Sequence, residues 1–304
     1  MPDNKQQSLK ATAEELWQAR PQHNIYLLLN PHRPVADDHP LYPDNLWVTE
    51  PERRAIVKRP DFDWLPDVCP LLVQIAGPGI RWPFDEMDTV YEQAIAEAGH
   101  VNGAYVCGWI ASNAPITRIA SQLAHGLQTP AGLFPLFEPL RLERLAATVE
   151  TERLDQWLNK IDAWLFVSAD GRPLQIQNKQ TESTDKVLHW PDEALQAQTR
   201  INTLQRCLTA WKNIQPQLPE QSAKQADAAL IEAQQLGLNE LEDQLYFALL
   251  ALTFKPDWHQ HPSAQKAIQQ ARQQPGTLAD IIAALPEATL QAIGLSTAEP
   301  QGIN

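Results

Sequence analysis

With 304 residues, 43% of them hydrophobic, the chain is too apolar for general disorder and long enough for two domains that each bury a core. Its formal net charge of -13 and the lack of any basic run interleaved with aromatics argue against a nucleic-acid binder, which draws affinity from clustered Lys and Arg. The best apolar run, Phe247 to Phe254, is well short of the roughly 18 residues of a membrane span, and MPDNKQQSLKATAEELW has no apolar stretch behind its lysines, so the expectation is a cytoplasmic protein without membrane insertion.

Residues 9–19 place Leu9, Ala13, Leu16 and Trp17 on one side of a predicted helix that leads into a strand at 25–29. From Pro31 to Pro66 the sequence is rich in Pro, Asp and His and reads as a long ordered connection. A second strand at 70–76 ends in Gly77-Pro78-Gly79, and Asp85 can cap a helix reaching about Ala98. Residues 104–110 form a largely apolar run of the kind expected from a strand covered on both faces. After Ser112-Asn113-Ala114-Pro115, residues Ile116, Ile119, Ala120, Leu123 and Leu127 keep helical spacing. Gly132 to Phe137 gives a further apolar segment, stopped by Glu138-Pro139, and Leu142, Leu145, Ala146 and Val149 start the next helix, with Arg141, Glu143 and Arg144 on its other face. Trp157, Leu158 and Ile161 close another helix before Trp164 to Val167, and Asp170-Gly171 signals a hairpin.

The polar patch Asn178 to Asp185 marks a domain boundary, giving domains over 1–180 and 190–304. Beyond it the spacing is helical. Ile201, Leu204, Leu208 and Trp211 share a face; Pro219 opens a helix that Gly237 ends; Asn239 and Glu242 have the spacing of a capping box; and shorter helices are expected at 262–273, 277–284 and 287–293. The fold class is therefore an α/β (α+β) N-terminal domain, a mixed sheet flanked by helices, followed by an all-helical C-terminal domain.

The buried strand ending Gly108-Trp109-Ile110-Ala111-Ser112, the helix PITRIASQLAHGL, and Phe137-Glu138-Pro139 ahead of an Arg/Leu helix resemble, in order and spacing, the N-terminal domain of the type VI secretion effector chaperones. Ile25 to Asn30 is similar to that family's opening strand, Cys69 to Ile75 to its next strand, and Trp164 to Val167 with Asp170-Gly171 to its closing hairpin. The resemblance covers roughly residues 20–180. The family usually reads aromatic-Asp-Pro-Arg, whereas here Leu140 separates Pro139 from Arg141. The resemblance implies a non-enzymatic adaptor that holds a cognate effector and helps load it onto the VgrG spike, with Phe137, Glu138, Arg141 and Arg144 as partner-facing or domain-locking residues.

Residues that could carry chemistry are few. There is no G-x-S-x-G elbow, Walker sequence or H-E-x-x-H. Gly77-Pro78-Gly79 reads as a plain turn, because the proline has no N–H to offer a phosphate. Cys69, Cys107 and Cys207 are odd in number and sit in apolar runs, which suits buried reduced thiols. His259 and His261, and His32 and His39 near Asp37 and Asp38, lack the companion ligands that would make a metal motif, so no metal or cofactor is expected. Asp61 and Asp63 are the residues for an alternative reading as a hydrolase with a loop-built site; a self-associating structural subunit is the third reading. Ten tryptophans are many; Trp47, Trp64, Trp82, Trp190 and Trp258 fall in loops or junctions, where they either pin loops to the core or anchor an interface.

Overall fold

The structure, a computed structural model, describes residues 2–33, 35–62, 64–126, 128–129, 132–180 and 190–295. Contacts divide the chain into two compact units, Met1–Ile201 and Asn202–Asn304.

The first unit opens with helix α1 (Pro2–Gln18) and strand β1 (Asn24–Leu29). A hairpin of β2 (Arg54–Ile56) and β3 (Leu71–Ala76) follows, then α2 (Met87–Ala96) and β4 (Val106–Ser112). Next come α3 (Ile116–His125), a two-residue pair β5 (Gln128–Thr129) and β6 (Gly132–Leu133), α4 (Pro139–Thr148) and α5 (Thr151–Leu158). The hairpin β7 (Ala163–Val167) and β8 (Pro173–Gln177) and helix α6 (Asp192–Thr199) complete the unit. Six strands form one sheet in the order β2-β3-β1-β4-β7-β8.

Every pairing in that sheet is antiparallel, which corrects the mixed sheet expected from the strand–helix–strand pattern. Such a pattern suggests a parallel crossover when one helix returns the chain to its starting end. Here α3 is followed by α4 and α5, and the chain re-enters the sheet beside the end it left. Ala111 near the close of β4 pairs with Ala163 at the start of β7, and the Ser112 hydroxyl donates to the Lys160 carbonyl (2.5 Å).

Helices cover both faces. On one, Leu9, Ala13 and Leu16 of α1 and Val90, Tyr91 and Ala94 of α2 pack on Ile25, Leu27, Val73 and Trp109. On the other, Ile116, Ile119 and Leu123 of α3, Leu142 and Leu145 of α4, and Trp157 of α5 pack on Tyr26, Leu28, Ile110 and Trp164. The alternation along β1 sends even residues to one core and odd residues to the other, as a strand buried on both sides requires.

Strand β4 departs from regular pairing: Leu28 faces Gly108 while Leu29 faces Val106, leaving Cys107 as the extra residue of a bulge. Gly108 has φ +125°, and a Cβ there would stand 2.2 Å from the Leu165 carbonyl oxygen, so only glycine fits. The segment 132–137, read as a strand, contributes only the short β6 outside the main sheet. Pro135 in its middle cannot donate to a ladder. Conversely, β2 lies inside what the sequence suggested was connection alone.

Helix α6 packs on α4 within this first unit, so the division between units falls at 201/202, after the helix that follows the polar patch. Residues 181–185 of that patch lie outside the described residues, as does Leu127.

The described part of the second unit is helical, with α7 (Ile201–Ile214) running into it, then α8 (Ser222–Gln235), α9 (Leu241–Thr253), α10 (Pro262–Gln273), α11 (Leu278–Ala283) and α12 (Glu287–Ile293). Gly237, at φ +80°, follows the end of α8 as a C-terminal stop. The capping box expected at Asn239 is not formed: the N-cap is Glu240 and no side chain caps α9. Instead, buried Asp243 within α9 accepts hydrogen bonds from the amides of Gly276 (2.8 Å) and Leu278 (2.9 Å), tying down the start of α11. Among the described residues no helix is long and apolar enough to cross a membrane.

Candidate functional site

The turn into α4 holds the residues singled out in the sequence. Pro139 sits in the first helical turn, where its missing N–H costs nothing, and Glu138 precedes it in an extended conformation. Phe137 is buried among Leu136, Leu142 and Trp164 in the core under α3–α5. Glu138 keeps only 5% of its side-chain surface exposed and Arg141 11%, and Arg144 is buried as well. All four predicted site residues are therefore buried.

What surrounds them is an arginine-rich junction. One Glu138 carboxylate oxygen lies 3.5 Å from Nη2 of Arg33, and the other 3.7 Å from Nε of Arg141. Arg141 donates through Nη1 to the Gln198 carbonyl (3.0 Å) and side-chain oxygen (3.3 Å), and the Gln198 amide donates back to the Arg141 carbonyl (3.0 Å). This reciprocal set fastens α4 to α6. Burial lowers the Arg141 pKa, Glu138 opposes that, and Arg33 and Arg59 reinforce it. Arg59, itself buried, grips Asp61 in a two-pronged pair (3.0 and 2.5 Å) and lies 4.6 Å from the Phe62 ring centre. That bond first, and the Arg59 charge, hold the Asp61 pKa below its ordinary value against burial. The His32 ring lies 4.7 Å from that of Phe62, tilted by 39°, and burial followed by Arg33 and Arg59 lowers its pKa.

Sequence reasoning missed Arg33, Arg59 and Gln198. Arg33 is 105 residues from Glu138, and the 31–66 segment offers no periodicity that would bring it there. Of the proposed carboxylate pair, Asp61 is committed to Arg59 and Asp63 lies outside the described residues. His39 accepts from the Leu41 amide in a local turn (3.1 Å). His259 pairs with Glu232 (3.1 Å), and His261 caps α10 by accepting from the Ser263 amide (3.2 Å). The three cysteines are buried and unbridged; burial pushes the Cys107 thiol well up and the Cys207 thiol to about 12. Such thiols are poor nucleophiles. Among the described residues no group of three or more His, Cys, Asp and Glu is placed to hold a metal ion.

Of the loop tryptophans, Trp82, Trp190 and Trp258 are buried and Trp47 is packed against the core. Trp64 stands 76% exposed.

A second location is open to solvent. A groove of about 800 Å³ runs along the outer edge of β2, between Ala55, Ile56 and Leu71 on the sheet side and Ala120, Ser121 and Ala124 of α3 on the other. Arg54, Lys58 and His125 also line it, and none of its described lining residues is acidic. Ile56 is 42% exposed at the edge. The signal available in the sequence was the short run Ala55-Ile56-Val57 between basic residues, whose two β-branched members favour a strand.

Comparisons with protein-family models, with curated proteins and with solved structures found no match to this chain. The resemblance to the effector chaperones therefore rests on its short motifs.

Proposed function

We propose that this chain is a non-enzymatic adaptor of a type VI secretion system, which binds a cognate effector in the cytoplasm and helps load it onto the VgrG spike without cofactor or metal. The observation that carries the reading is the ordered motif series from Ile25 to Gly171, whose members belong to one continuous piece of architecture: β1, β3, β4, α3, α4 and the β7–β8 hairpin. The charged residues of that series are consistent with a scaffold role, because Glu138, Arg141 and Asp170 are buried and paired inside the protein. The groove beside β2 offers a surface suited to holding another chain.

Co-expression with the effector and VgrG encoded beside it, followed by affinity capture and sizing, tests the reading. A stoichiometric complex with the effector is expected. Soluble effector with no contact to this chain would overturn it.

A second reading, an enzyme with a site built by the 31–66 loops, draws on the shared field of His32, Asp61, Glu138, Arg33 and Arg59. It is disfavoured by the commitment of Asp61 to Arg59 and of Glu138 to two arginines.

A further inference from the structure

We infer that the open edge of β2 is a strand-addition site for an extended segment of a partner protein in which apolar residues alternate with Asp or Glu. Among the described residues strand β2 pairs only with β3, which lies on its inner side. The Val57 amide donates to the Pro70 carbonyl (2.8 Å), which fixes the alternation of the ladder: Ala55 and Val57 turn their backbone groups to β3, while Ile56 turns its N–H and C=O outward. An outward donor and acceptor on an edge strand are completed by another strand, and a segment so bound sends alternate side chains to opposite sides.

The groove decides which segment. One wall is Ala120 and Ala124 of α3, small residues that leave room for apolar side chains beside Ala55, which shares their face of the sheet. The rim is basic, with Arg54, Lys58 and His125 and no acid among the described lining residues, in a protein whose net charge is -13. Arg54 is held in place by its bond to the Pro43 carbonyl. Nearby Glu50 is engaged by Arg53 (3.2 Å) and does not offset the rim. Acidic side chains on the incoming strand meet Lys58 and Arg54, whereas a basic segment, or one flanked by bulky uncharged residues, does not complement the rim. With three residues at about 3.3 Å each, β2 spans roughly 10 Å, so main-chain pairing covers only a few residues and the charges supply much of the selectivity.

The site deepens the adaptor reading, on which only the source of the segment rests. The test pans a phage-displayed library of random linear peptides on the full-length protein and on two variants. Ile56→Pro removes the outward N–H without touching the ladder to β3; Lys58→Glu inverts the rim and keeps the backbone intact. Enrichment of peptides alternating apolar and acidic residues is expected, with at least tenfold weaker binding to Ile56→Pro, several-fold weaker binding to Lys58→Glu, and loss of affinity as salt rises. Peptides without that pattern, no enrichment, or enriched peptides indifferent to Lys58→Glu would overturn the inference. So would a concentration-dependent dimer in sedimentation that Ile56→Pro abolishes, which would assign the edge to a second copy. Effector capture that persists in both variants would sink the site and leave the adaptor reading standing; peptide binding without effector capture would do the reverse.

Discussion

The arginine junction and the β2 groove both draw on the 31–66 segment and have opposite character. In the junction, Arg59 and Arg141 are buried with acids and an amide to receive them, and the surrounding backbone is tied into helices and turns. In the groove, the side chains are small and apolar, the charges stand at the rim, and a backbone amide faces outward. Buried charge that is already paired works as a fastener, whereas unpaired edge backbone beside apolar surface is available for recognition. A motif rich in arginine and acid therefore need not mark the surface that meets a partner.

Breaking the junction should have the largest effect on stability. Arg141→Ala leaves Glu138 with Arg33 alone and removes both bonds from the guanidinium to Gln198, so a loss of about 3 to 5 kcal/mol is expected in denaturant unfolding, with the groove unchanged in the part that stays folded.

An intermediate effect is expected one turn along α4. Burial pushes the Glu143 pKa up to about 7, against a bond from the Ala169 amide (2.9 Å) and helped by the Asp170 charge. A carboxyl whose folded pKa lies above its unfolded value of 4.5 binds more protons when folded between the two, so stability falls as pH rises from about 4.5 to about 7 and is level above. Glu143→Gln keeps an acceptor for Ala169 and removes the ionisation. Its melting temperature should exceed that of the parent at pH 8 and converge with it near pH 4, a difference of a few kcal/mol at most. Parallel pH profiles for the two proteins would refute this.

The smallest change in stability is expected at the groove. Ile56→Thr keeps a β-branched strand residue at a half-exposed position and should stay within about 0.5 kcal/mol of the parent in the same unfolding assay. A loss as large as that of Arg141→Ala would show that the groove is structural, and the contrast would collapse.

Much of the fold could be read from the chain. Pro and Gly punctuation located α10 to α12 almost to the residue, and Asp170-Gly171 located the β7–β8 turn, where Gly171 takes φ +83° and Asp170 receives Ser168 and Arg172. Sheet polarity was not legible, since it depends on how many helical passes separate β4 from β7 and not on the pattern of either strand. Strand β2 was hidden because three residues are too few to establish a period. The burial of Glu138 and Arg141 was hidden for a different reason: their partners come from loops and a helix distant in sequence, and the exposed face that Arg141, Glu143 and Arg144 suggested is covered by α6 and the β7–β8 hairpin. The basic composition of the groove rim was visible at Arg54 and Lys58 but had no address until α3 was placed beside them.

The bulge at Cys107 makes β4 a strand read in two frames. From Trp109 onward, Trp109 and Ala111 serve the core beneath α1 and α2 and Ile110 the opposite one; before the bulge, Val106 serves the first core and Cys107 the second. Odd positions point one way after the insertion and even positions before it, so a single extra residue lets Val106 and Trp109 reach the same layer. Straightening the strand with Cys107 kept would set Cys107 opposite Leu29 and turn Val106 out of its layer, whereas deleting Cys107 would leave Val106 opposite Leu29 in regular alternation. The insertion thus lets two residues three apart in the chain fill one layer while Cys107 fills the other.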